Sequence, residues 1–113
     1  MSDLPATDPA ADALAHLVAE IDRSVAELER ARHRAERLLH ERGTGRPWLD
    51  VVTAESRPLV VESVSAVLAG LAGAGHGWRR EQALALQREA VSINRIAALF
   101  GVTRQRISAL LKE

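Results

Sequence analysis

Residues 93–110 read Ile93-Asn94-Arg95-Ile96-Ala97-Ala98-Leu99-Phe100-Gly101-Val102-Thr103-Arg104-Gln105-Arg106-Ile107-Ser108-Ala109-Leu110. Ser92 stands just ahead of this stretch and can cap a first short helix, and Thr103 can cap a second. Gly101 lies between them and supplies a turn whose backbone can require positive φ. Ala97 is small where two helices must cross closely. Val102 plugs the corner. Ile107, six residues after the glycine, locks the second helix onto the first, and Leu110 follows on the same face. Two helices set nearly perpendicular across a three-residue turn need this arrangement. Upstream, Trp78–Ala90 carries Ala83, Leu84 and Leu86 at helical spacing. Residues 78–113 therefore read as three short helices. Their inward side chains are Ile93, Ile96, Ala97, Phe100, Ile107, Leu110 and Leu111.

This stretch resembles helix-turn-helix DNA-binding domains. Gly101-Val102-Thr103-Arg104-Gln105-Arg106-Ile107 is similar to the recognition helix of bacterial sigma factor region 4 and to the homeodomain-like domains of resolvases and small regulators. The chain also resembles short actinobacterial regulators that place such a module after an N-terminal helix. The resemblance covers residues 78–113. One departure is Ala90, where such modules often carry the glycine that ends the preceding helix. The resemblance implies binding to double-stranded DNA, with the helix that begins at Arg104 in the major groove. No residues follow Glu113 to build a wing, so a three-helix module without one is expected.

Helical steps of 100° from Ile107 place the remaining side chains of that helix. Gln105 and Ala109 point directly away from the buried side. Ser108 and Lys112 lie to one side of them and Arg106 to the other, with Arg104 at the edge. The expected base contacts are Arg104, Gln105, Arg106, Ser108 and Ala109. Arginine bonds guanine in a bidentate way and glutamine bonds adenine, while alanine allows close approach or a thymine methyl contact. The expected phosphate contacts are Arg79, Arg80, Ser92, Asn94, Arg95, Thr103 and Lys112. These position a protein without reading sequence.

The rest of the chain is helical in pattern. Residues 1–8 are polar and contain Pro5, which fits a disordered leader. Asp8-Pro9 then opens a helix that meets no Gly or Pro before Gly43-Thr44-Gly45-Arg46-Pro47. Residues 9–42 in one helix span roughly 50 Å. Apolar side chains repeat by seven along it. Leu14, Ile21, Leu28 and Ala35 form one column; Leu17, Ser24, Ala31 and Leu38 form a second; Val18, Val25 and Leu39 lie beside them. Such a seam fits a coiled-coil homodimer, with Leu14, Leu17, Ile21, Leu28, Ala31 and Leu38 at the contact, or a helix folded back on its own domain. Arg30, Arg32, Arg34 and Arg37 stand among Glu27, Glu29 and Glu36 and read as solvated charges. Residues 43–77 read as a middle region: a short segment Trp48–Ala54 with Trp48 as a core anchor, a buried helix opened by Pro58, and a glycine-rich loop over Gly70, Gly73, Gly75 and Gly77.

Composition narrows the function classes. The chain has 113 residues, 15 basic and 15 acidic side chains, no cysteine and 3% aromatics. That length holds one small domain plus an extended helix. Disulfides and thiolate metal sites are excluded. Residues 1–77 carry 8 basic and 12 acidic side chains, and residues 78–113 carry 7 and 3, so the resembling module is the basic part. His16, His33, His40 and His76 form no ligand set, no carboxylate pair stands out, and Gly43-Thr44-Gly45 lacks the Lys-Ser/Thr of a phosphate loop. No enzyme, metal or cofactor is expected. No basic and apolar leader marks a signal peptide. Leu59–Gly75, interrupted by Glu62, Ser63 and Ser65, reads as too short and polar to span a bilayer. The expectation is an all-α, cytoplasmic, nucleoid-associated protein. It would bind DNA as a dimeric transcriptional regulator or architectural protein. The alternative is an adaptor that docks a protein of the transcription machinery without binding DNA.

Overall fold

The computed structural model describes residues 7–113. They form five α-helices: α1 (Pro9–Gly43), α2 (Trp48–Ala54), α3 (Val60–Arg88), α4 (Ile93–Phe100) and α5 (Arg104–Leu111). No strand occurs among the described residues. Residues 1–6 of the expected leader lie outside them. Thr7 and Asp8 precede α1, and the Ala11 N–H donates to Asp8 Oδ1 at 3.0 Å, which fills one of the helix's free first-turn donors.

The expected loop over Gly70–Gly77 is corrected. α3 runs without interruption from Val60 to Arg88 and includes all four glycines and the segment from Trp78 that the apolar spacing marks as a separate helix. None of these four has positive φ, so nothing in the backbone calls for a turn. Glycine lowers helix propensity by about 1 kcal/mol relative to alanine, and alanines and leucines between the glycines keep the ladder continuous. The longer helix also changes the bilayer argument. An 18-residue window within it reaches a mean hydropathy of 1.2 and, by length and composition, is apolar enough to cross a membrane.

The start of α3 is built from carboxylates. Glu62 Oε1 accepts from the Leu59 N–H at 2.7 Å, and Glu55 Oε2 from the Val60 N–H at 2.7 Å. Glu62 is held below the ordinary carboxylate range, first by that backbone N–H and then by Arg57. Anionic groups belong at this end of a helix, where donors are unpaired. In α2 the buried residue is Val51, at 2% exposure, whereas Trp48 is 52% exposed. The expected core anchor is therefore a surface indole, over which the Arg42 guanidinium lies 5.5 Å from the ring centroid.

The chain divides into two units. One takes the N-terminal residues to Val18 together with Gly73–Glu113, and the other is Ala19–Ala72. Within Ala19–Ala72, α1 and α3 bury Ser24, Ala31 and Val67. Arg34 donates to Ser63 Oγ at 3.2 Å, to Ser56 O at 3.3 Å and to Pro58 O. It is half-buried and ties α1 to the approach to α3, in place of the solvated charge expected of it. The Glu20 carboxylate lies against Gly70, where a Cβ would meet Oε1 at 2.5 Å.

The expected seam of α1 splits into two faces. Ala31 is buried and Leu17 and Leu38 are half-buried, whereas Leu14, Ile21 and Leu28 are exposed. The column Leu17, Ser24, Ala31, Leu38 turns toward the chain's own core. This corrects the six-residue contact: half of it is already occupied inside the monomer, because a column at heptad spacing serves an intramolecular helix as well as a second chain.

Candidate nucleic-acid interface

The last turns of α3 and all of α4 and α5 enclose a core of their own. Ala83, Ile96, Ala97, Ile107 and Leu110 are buried together, with Ile96 and Ile107 fully so. Leu86, Val91, Ile93, Phe100, Val102 and Leu111 pack around them. Burying each branched side chain stabilises the unit by about 1.5–3 kcal/mol.

Local chemistry sets where each helix begins and ends. Ser92 Oγ accepts from the Arg95 N–H at 3.2 Å, and Thr103 Oγ1 accepts from the Arg106 N–H at 3.1 Å. α4 stops at Gly101, in the left-handed region at φ 69°. There the Val102 N–H returns to Ala97 O at 3.0 Å and the Gly101 N–H to Ala98 O at 3.3 Å. α3 stops by the same pair of bonds. The Val91 N–H returns to Leu86 O at 3.0 Å and the Ala90 N–H to Gln87 O at 3.0 Å. Both ends are Schellman motifs, in which the left-handed residue favours glycine. Ala90 takes that place at φ 64°. The departure noted in the sequence therefore keeps the backbone geometry and carries its strain in an alanine.

This frame presents the expected base-contact residues as follows. Ile107 and Leu110 face the core. Arg104, Gln105, Arg106 and Ala109 are exposed and Ser108 is half-buried. Gln105, Arg106 and Ala109 share an open groove of about 910 Å³ with His76, Arg79 and Phe100. The Arg79 guanidinium sits 4.4 Å above the Phe100 ring centroid, which holds it at the rim of that groove. Ser92, Asn94, Arg95, Thr103 and Lys112 are exposed.

Arg80 stands apart from the other expected phosphate contacts. It is half-buried, bonds Glu81 Oε1 at 3.0 Å and donates to Glu113 O. Its charge is engaged within its own unit. His76, expected in a loop, is an exposed helical residue whose Nε2 lies 2.6 Å from Glu113 Oε1. These contacts span 33 and 37 residues, and no local pattern announces them.

The cations divide unevenly by region. Arg23, Arg30, Arg32, Arg46 and Arg57 each meet a carboxylate of the same chain, whereas Arg34, Arg37 and Arg42 enter no ion pair among the described residues. Arg79, Arg95, Arg104, Arg106 and Lys112 enter no ion pair among the described residues. These cations stand beside an exposed helix face with their charge open to solvent. No group of three or more metal-ligating side chains occurs among the described residues. Comparison with protein-family models, with curated proteins and with solved structures finds no match, so the chemistry of this surface stands on its own residues.

Proposed function

We propose that residues 78–113 bind double-stranded DNA, with α5 lying in the major groove. The observation that supports this most directly is the state of α5. Ile107 and Leu110 fix it to a packed core, and its opposite face leaves Arg104, Gln105, Arg106 and Ala109 open beside unpaired cations. Arg104, Gln105 and Arg106 read base edges, with Ser108 at the edge of the contact. Arg79, Arg95, Lys112, Asn94, Ser92 and Thr103 hold phosphates. Arg80 is left out of this set, because it is already bonded within its own unit. The role is that of a transcriptional regulator or architectural protein acting on DNA in the cytoplasm, without catalysis and without a membrane.

The test is fluorescence anisotropy with mixed genomic duplexes over a salt series, wild type beside Gln105→Ala/Arg106→Ala. Affinity is expected to fall steeply with salt through counterion release. The double variant is expected to bind the same duplexes more weakly than wild type at every salt concentration, because two base-facing side chains are removed. Wild type that binds no duplex at low salt overturns the reading, and retention of a transcription-machinery protein would then favour the adaptor.

A further inference from the structure

The unit Ala19–Ala72 exposes an apolar face built from two helices. Ser24 and Val67 mark the buried sides of α1 and α3. One flank of this pair is a groove lined by Glu20, Arg23 and Glu27 from α1 and by Glu62, Ser63 and Ala66 from α3. Helical steps of 100° carry Ile21, Val25 and Leu28 to the opposite flank of α1, and Val61, Val64, Leu68 and Leu71 to the opposite flank of α3. The polar groove takes one flank of each helix, so the two apolar flanks share the other side. Ile21, Val25, Leu28, Val61 and Leu68 are between 41% and 65% exposed.

We propose that this face seats the same face of a second copy, forming a four-helix bundle from two helical hairpins. Three observations choose a second copy as the occupant. The first is area. The five side chains leave on the order of 500 Å² open, at the upper end of the largest patch on a soluble monomer. Joining two such faces removes on the order of 1,000 Å², the size at which a specific interface begins. The second is charge. Ile21, Val25, Leu28, Val61, Val64, Leu68 and Leu71 carry no charge, and Arg32 beside them on α1 is bonded to Glu29 of its own helix, so two copies meet without like charges inside the contact. The third is geometry. A pair of helices with one apolar side is half of a four-helix bundle, and a two-fold axis completes it with identical surfaces. The contact thus differs from a two-stranded coiled coil along α1 alone: α3 supplies half of it, and Leu17, Ala31 and Leu38 take no part.

The proposal holds whatever residues 78–113 bind, so its test contains no DNA. Sedimentation equilibrium of the full chain, over a concentration series from the low micromolar range, reads the mass directly. Wild type is expected to approach twice 12.3 kDa. Ile21→Glu/Leu68→Glu is expected to weaken association on the order of 100-fold or more, because four carboxylates would be desolvated in the joined face. Its far-UV spectrum should stay helical. Should that variant lose its helicity, Val25→Gln with Leu68→Gln reads the same face more gently and is expected to weaken association in the same direction. Wild type that remains a monomer overturns the proposal, whether or not it pellets with phosphatidylcholine vesicles or retains another protein. So does a folded variant that associates as tightly as wild type.

Discussion

The two ends of this chain treat apolar side chains in opposite ways. In residues 83–111 the large apolar groups other than Leu99, which is 59% exposed, converge, and Ile96 and Ile107 have no exposed surface at all. In Ala19–Ala72 the buried positions are mainly small (Ser24, Ala31, Val51, Val67), while Ile21, Val25, Leu28, Val61 and Leu68 stay open. The first region closes its core with its own short helices. The second puts small residues between two long helices, which lets them approach, and leaves the bulk outside. A region that closes its own core can carry a polar binding surface, whereas one that leaves its bulk outside is shaped to be completed by something else.

The closed core is the place to break first. Ile107→Ala should cost about 2–5 kcal/mol, since a fully buried branched side chain leaves a cavity. Urea titration followed by far-UV ellipticity would measure it, and a loss below about 1 kcal/mol would mean the core is not closed. The open face should respond differently. The melting temperature of wild type is expected to rise with protein concentration, because association stabilises by mass action. Leu28→Ser should flatten that dependence while costing the dilute protein little.

The two Schellman ends sharpen the comparison within the C-terminal unit. Ala90→Gly is expected to raise stability by about 1 kcal/mol, because a left-handed alanine is strained. Gly101→Ala should lower it by about the same amount; the site is sterically open, so only the backbone term acts. Thermal melts of both variants test this, and equal behaviour at the two ends would contradict the assigned dihedrals. In the other unit, Ser24 Oγ is buried without a hydrogen-bond partner, so Ser24→Ala should gain about 1 kcal/mol in the same assay.

The smallest effect belongs to Glu62. Its carboxyl is depressed in the folded chain. The stability it adds is therefore full above the unfolded carboxylate pKa and lost as pH falls through the folded value. Glu62→Gln should be less stable than wild type near neutrality and indistinguishable from it at strongly acidic pH, as urea titrations at the two pH values would show.

The architecture was legible where one residue type does one local job. Ser92, Gly101 and Thr103 bound α4 and α5 where their chemistry places them, and Asp8-Pro9 opens α1. The apolar periodicity of residues 83–111 also named the core. Reading failed where tertiary context outweighs propensity. Gly70, Gly73, Gly75 and Gly77 punctuate the sequence like a loop, yet all four are helical. The heptad columns of α1 were visible, but periodicity does not say which column meets the same chain and which meets another. At the candidate site, the exposed face of α5 follows from helical geometry alone. The engagement of Arg80 and His76 with Glu113 depends on chain closure across 33 and 37 residues, which no spacing encodes.

Those four glycines cluster where α3 passes from one unit to the other. Together they cost the helix about 4 kcal/mol of propensity relative to alanine, and Gly73, Gly75 and Gly77 have open space beside them. Amide hydrogens there should exchange with solvent faster than those on either side, through local openings far cheaper than global unfolding. The longest apolar helix of the protein thus carries a built-in fuse. It is continuous at equilibrium, and it is the point at which the two halves can lose cooperativity first.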